Sequence, residues 1–174
     1  AKTLLELVPP YEGLKTGTPP PAEFPEGPGV TVNSYGKGIV IYCAAQLFDA
    51  YYRISTPVLR KLALWMLDYM YSPERRSIVC ENTPINVEVF YNQRNNERFI
   101  HLVNYSGDKR GNGVPQTQDF PVIHGIRVHA RTDVRPSSIT TVPDGKKVEF
   151  TYSDGRISFD AVPLHIHSVY NIEL

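Results

Sequence analysis

Among 18 acidic residues in a chain of 174, none forms an evident catalytic pair. Glycoside hydrolysis needs two carboxyl groups facing each other across a cleft, about 5 to 9 Å apart. Asp144 and Asp154 each precede a glycine, a pairing that serves turns, while Glu88, Glu149, Asp160 and Glu173 fall in alternating stretches at positions expected to face solvent. No catalytic residue is therefore assigned. The five histidines raise a different chemistry. His165 and His167 alternate along one expected strand, so their rings share a face, and His101, His124 and His129 lie on other strands of the same region. Three imidazoles would suit zinc, but the compact ligand spacings of structural zinc are missing, so the histidines read as packed or rim residues and no metal or cofactor is assigned. His101 shares a face with Phe99 and Val103, which suggests a hydrogen-bonded inner position.

Other reactive groups read the same way. Gly36-Lys37-Gly38 lacks the rest of a phosphate loop and opens a strand where a helix would be required. Cys43 and Cys80 each sit in an apolar run, where cysteine behaves as a small buried hydrophobe; they make no disulfide framework, although one bridge between them fits the count. No G-x-S-x-G or H-E-x-x-H pattern occurs. Eleven tyrosines, seven phenylalanines and one tryptophan offer flat apolar faces on which sugar rings could stack. Tyr51, Tyr52, Tyr91, Tyr105 and Tyr152 are the candidate carbohydrate-binding residues, set against the commoner use of such rings as core or cross-strand pairs. Trp65 is expected to pack.

Lys plus Arg equals Asp plus Glu at 18 each, with no polybasic run, so neither nucleic acid nor a membrane surface is an expected partner. No apolar stretch reaches the roughly 20 residues of a spanning helix, and AKTLLELVPP lacks the pattern of a signal peptide. The chain opens at Ala1 in what reads as the middle of a strand, as an excised or processed piece would.

These residues must be held by two different kinds of structure. Residues 3–8, TLLELV, suit a short strand stopped by Pro9 and Pro10. The stretch from Tyr11 to Gly29 is dense in proline and glycine and suits an extended connection. VTVNSY and GIVIYCAA flank Gly36-Lys37-Gly38 as a hairpin with glycines at positive φ. The second of these strands is apolar on both faces, which predicts a central position covered on both sides. Ser55-Thr56-Pro57 predicts a helix start, with a hydroxyl cap and proline in the first turn, and Ser72-Pro73 its end. The apolar residues between them, Leu62 included, occupy more than one stripe and predict burial on two sides.

After Glu74-Arg75-Arg76 the pattern changes to short alternating strands: SIVCEN, INVEVFYN, RFIHLVNYS, IHGIRVHAR, SSITTV, KVEFTY, RISFDAV and HIHSVYNIEL. Asp154-Gly155 predicts a type I′ turn between the sixth and seventh. This regime predicts a β-sandwich. The fold expected is thus α+β: residues 1–75 form a small partial α/β segment with one main helix, and residues 76–174 form a mainly antiparallel β-sandwich.

The series SYGKGIVIYCAAQLFDAYY, STPVLRKLALWMLDYM and NVEVFYNQRNNERFIHLVNYSG resembles the tail of glycoside-hydrolase-related proteins with a β-galactosidase trimerisation-type domain. Its most specific pieces are Tyr35 to Gly38 and the run from His101 to Gly107. The resemblance spans Val30 to Leu174. It implies a catalytic (β/α)8 barrel first, then an amidotransferase-like α/β domain without amidotransferase chemistry, then a C-terminal β-sandwich. The two barrel carboxylates are not in this chain. The function expected is a non-catalytic accessory or oligomerisation region, with a carbohydrate-binding module as the alternative. Its partners would be an upstream catalytic domain of the same polypeptide, other copies of itself, or a carbohydrate.

Overall fold

The computed structural model describes residues 1–8, 24–111, 113–114 and 116–174. They form two compact units, Ala1–Arg75 and Arg76–Leu174. The fold is α+β and mainly antiparallel β.

In the first unit, β1 (Lys2–Leu7), β2 (Gly27–Tyr35) and β3 (Gly38–Cys43) make a three-stranded antiparallel sheet in the order β1-β2-β3. Pro9, Pro10 and most of the proline-rich connection lie outside the described residues. Strand β2 starts at Gly27, three residues before the expected Val30, and takes in Pro28 beside a register irregularity in its pairing with β1. At Gly29 a Cβ would stand 3.1 Å from the Glu6 carbonyl, a tight fit that favours glycine. The β2–β3 turn needs only one positive φ, at Gly36. The hairpin of β2 and β3 is antiparallel as expected, but one expectation changes: β3 lies at the edge of the sheet, with Ile39, Val40 and Tyr42 exposed, because β2 takes the middle place.

Two helices follow where one was expected. Helix α1 (Leu47–Ile54) is eight residues long, carries an Asp49–Arg53 ion pair at i,i+4 and ends at Ser55 in the left-handed conformation. The Ser55 hydroxyl donates back to the Tyr51 carbonyl at 3.2 Å, so it serves the end of α1. Helix α2 (Pro57–Met70) begins with Pro57 in its first turn and an extended Thr56 whose side chain makes no capping bond. Proline alone explains the start: its fixed φ suits the first helical position and its missing N–H has no partner to lose. Burial on two sides is not observed. Met66 is the one buried residue of α2, Leu62 is half-buried, and Val58, Leu64, Trp65, Leu67, Tyr69 and Met70 are exposed. The Trp65 ring leans on Tyr69, 6.2 Å between centroids.

The second unit is the sandwich. Its strands are β4 (Ile78–Glu81), β5 (Val87–Arg94), β6 (Glu97–Asn104), β7 (Lys109–Arg110), β8 (Gln116–Thr117), β9 (Arg127–Arg131), β10 (Ser138–Val142), β11 (Thr151–Ser153), β12 (Arg156–Asp160) and β13 (His167–Glu173). One sheet runs β10-β13-β6-β5 and the other β11-β12-β9-β4, every pair antiparallel, while β7 and β8 form a small separate hairpin. Asp154 and Gly155 both take positive φ and close the β11–β12 hairpin, as a type I′ turn requires.

Alternation fills the space between the sheets. Ile100, Leu102, Ile139, Tyr170 and Ile172 from one sheet meet Val128, Ala130, Ile157 and Phe159 from the other, with Ile126 and Leu164 beside them. Tyr170 is the largest fully buried side chain; its ring packs against Phe159 at 4.9 Å and its hydroxyl accepts the Val162 N–H at 2.9 Å. Asn104, also buried, donates to the carbonyls of Pro121 and His165 and accepts the Ser106 N–H. Three residues on, Gly107 has φ +136° and no room for a Cβ against the Asp119 carbonyl. The run from His101 to Gly107 is thus a structural corner.

Two stability outcomes follow. Tyr170→Phe leaves the Val162 N–H without its partner and is expected to cost about 1–3 kcal/mol in chemical denaturation, while Tyr170→Ala adds a cavity and costs about 3–5 kcal/mol. In the first unit, Met66→Ala is expected to cost about 2–5 kcal/mol and Leu62→Ala clearly less; equal losses would contradict the burial described.

Candidate functional site

Several described acids each have a neighbour that holds them. Arg127 reaches Asp160 at 3.0 Å, Arg110 reaches Asp108 at 2.8 Å, and Lys146 reaches Asp144 at 3.1 Å, a contact that holds the Asp144 carboxyl below its ordinary pKa. Asn171 donates to Glu97 and Ser138 to Glu173. Glu88, Glu149, Asp160 and Glu173 are all exposed. Single partners of this kind position a charge on a surface.

One array has the composition of a hydrolytic triad, and sequence reasoning missed it. Ser158 on β12 and His129 on β9 are directly opposed in register, with Oγ 2.7 Å from Nδ1, and Glu81 of β4 brings a carboxylate oxygen to 3.3 Å from Nε2. That second approach lies off the line of a hydrogen bond, leaving Nε2 without a hydrogen-bonding partner. The alternation that buries Ile157, Phe159, Val128 and Ala130 turns Ser158 and His129 to the outer face of their sheet. Acyl transfer also needs backbone N–H groups free to hold an oxyanion. Strand β12 is paired on both sides, with β11 and β9, and its amides are committed to those ladders. The array fits a cross-strand polar clasp.

A second imidazole cluster lies on the other sheet. His101 of β6 pairs with Val169 of β13, and His167 stands two residues before Val169, so the two rings are diagonal neighbours on one face. Their planes lie within 15° of each other at 5.4 Å between centroids, and the rings meet edge to edge, with His101 Nδ1 3.2 Å from His167 Nε2. Burial of the ring, followed by the charge His167 can carry, holds the His101 pKa below its ordinary value. The shared face of Phe99, His101 and Val103 was expected to point inward; it is the outer face, because Ile100, Leu102 and Asn104 take the core. His165 lies before β13, exposed, and its carbonyl accepts from Asn104. His124 is exposed on a loop.

The five tyrosines do not share one element. Tyr51 and Tyr52 are successive residues of α1, the first half-buried and the second 87% exposed. Tyr91 packs against the sandwich core and donates to the Arg131 carbonyl at 2.6 Å, tying its sheet to β9. Tyr152 also packs against the core, and Tyr105 is half exposed just beyond β6. Both cysteines are free thiols, and burial pushes the Cys80 pKa up to about 11, away from the thiolate a nucleophile needs. No described helix is long and apolar enough to cross a membrane.

No family model matches the sequence, and no curated protein matches it. Among solved structures, the chain is similar to alpha-L-fucosidase isoenzyme 2 from Paenibacillus thiaminolyticus, with a TM-score of 0.84 and 21% sequence identity over 99% of its length. The chain spans only 26% of that fucosidase chain. What the two share is the fold of this region.

Proposed function

We propose that the chain is a non-catalytic accessory and oligomerisation region of a carbohydrate-active, glycoside-hydrolase-related protein, serving an upstream catalytic domain of the same polypeptide. The observation that carries this reading is the fold likeness across nearly the whole chain to a quarter of an alpha-L-fucosidase. A second observation supports it. The first unit leaves Val40 and Tyr42 on β3 and Val58, Trp65 and Leu67 on α2 exposed. Such surface suits contact with another domain or another copy. The exposed positions of Glu88, Glu149, Asp160 and Glu173 support the non-catalytic part. Tyr91 and Tyr152 are committed to the sandwich core, which favours the accessory reading over a carbohydrate-binding module.

Sedimentation of the chain and assay of its hydrolysis of aryl glycosides test this together. Concentration-dependent self-association without hydrolysis is expected. Leu67→Asp should abolish association at unchanged thermal stability, because that side chain is already exposed. Retardation of a monomer on a polysaccharide affinity gel would favour the carbohydrate-binding module. Turnover of an aryl glycoside, abolished by substitution of an acid in this chain, would sink the non-catalytic assignment.

A further inference from the structure

Independently of the accessory reading, we propose that His101 and His167 form a two-nitrogen chelate for a divalent transition-metal ion, Cu(II) above all, on the outer face of the β10-β13-β6-β5 sheet.

The spacing of the donors is that of a bite. Metal–imidazole bonds of about 2.0–2.1 Å, meeting at angles between a right angle and the tetrahedral angle, separate the two nitrogens by about 2.9–3.4 Å. The His101 Nδ1 to His167 Nε2 separation is 3.2 Å. The two backbones are fixed by the β6–β13 ladder, from His167 opposite Val103 to Glu173 opposite Glu97, so bringing the donors together costs little further ordering. In the metal-free pair one ring donates its N–H to the lone pair of the other. A metal takes the place of that shared proton once both rings swing so that their lone pairs converge beside the line joining the two nitrogens, and the displaced proton passes through solvent to the donor ring's other nitrogen.

The electrostatics agree. A metal takes the neutral imidazole. The charged groups around the pair are few. Glu88 stands on the same face of β5, opposite Val103, one strand from His101 and two from His167. Asp144 and Lys146, paired with each other, border with His167 a recess of about 270 Å³. Among the described residues no group of three or more histidine, cysteine or acidic side chains is placed to hold a metal. The chelate therefore has two protein donors, with solvent completing the shell. Two imidazoles favour copper over nickel and zinc by the general order of divalent affinities.

Metal-free chain is titrated calorimetrically with Cu(II), Ni(II) and Zn(II) at pH 7.5, and the copper complex is examined by electron paramagnetic resonance. One Cu(II) per chain is expected, bound more tightly than Ni(II) or Zn(II), with hyperfine structure from two imidazole nitrogens and affinity falling as pH drops and protons compete. Loss of an outer partner of a metal ligand costs about 10- to 100-fold, so His101→Ala and His167→Ala should each weaken Cu(II) binding at least tenfold. His124→Ala and His165→Ala should leave it unchanged. Copper binding that survives both ligand substitutions, or a wild-type spectrum with fewer than two imidazole nitrogens, would overturn the site. The spectrum needs no variant, and His167 is exposed, so a folding defect in His101→Ala would not protect the proposal.

Discussion

The sandwich depends on one side chain that belongs to both of its layers. Tyr170 stands on β13, between β10 and β6, and lays its ring on Phe159 of the opposite sheet. Its hydroxyl takes the N–H of Val162, in the stretch that carries the chain from β12 back into β13. One residue thus fixes the spacing of the layers, the crossing between them and the register of a central strand. Isoleucine or leucine at this place could fill the volume. Neither could also satisfy the Val162 amide, and a buried donor left alone costs more than an ordinary hydrogen bond returns.

Once the inner faces are fixed in this way, any chemistry must lie on the outer ones. Strands with a period of two present alternate residues to opposite sides. The same register that sends Ile100, Leu102, Tyr170 and Ile172 inward sends His101 and His167 outward, and the register of β9 with β12 opposes His129 to Ser158. These polar arrays are by-products of core packing in their placement, yet their geometry is well defined because the ladders beneath them are rigid. A flat sheet face suits a clasp or a small ion far better than a reaction that must exclude water.

The β-sandwich was legible because alternation is a strong signal: all eight expected segments contain strands, and Asp154-Gly155 closes the turn it was expected to close. The short hairpin of β7 and β8 was missed, since two-residue strands carry no periodicity. Helix α1 was missed for a related reason, as eight residues with two tyrosines give little helical preference and its boundary with α2 falls at Ser55-Thr56-Pro57, which reads as a single start. The inward placement of His101 failed on parity. The sequence puts Phe99, His101 and Val103 together on one side of β6, but only the neighbouring strands decide which side is the core. The His101–His167 pair could not be found at all from spacing, because 66 positions separate two rings that the β6–β13 ladder makes neighbours.

The first unit failed in a more informative way. Strand β3 and helix α2 carry apolar residues on more than one face, and such a pattern ordinarily reports an element covered on two sides. Here β3 is an edge strand and only Met66 of α2 is buried. The periodicity argument was sound for the side chains and wrong for their surroundings within this chain. An edge strand rich in isoleucine, valine and tyrosine, with no charge or proline to guard it, is a liability in water unless something covers it. Natural edges are usually blunted, and the charged residues of this chain fall elsewhere. On the accessory reading the conflict disappears: the apolar faces belong to an interface, and the sequence is patterned for the surroundings of a larger protein.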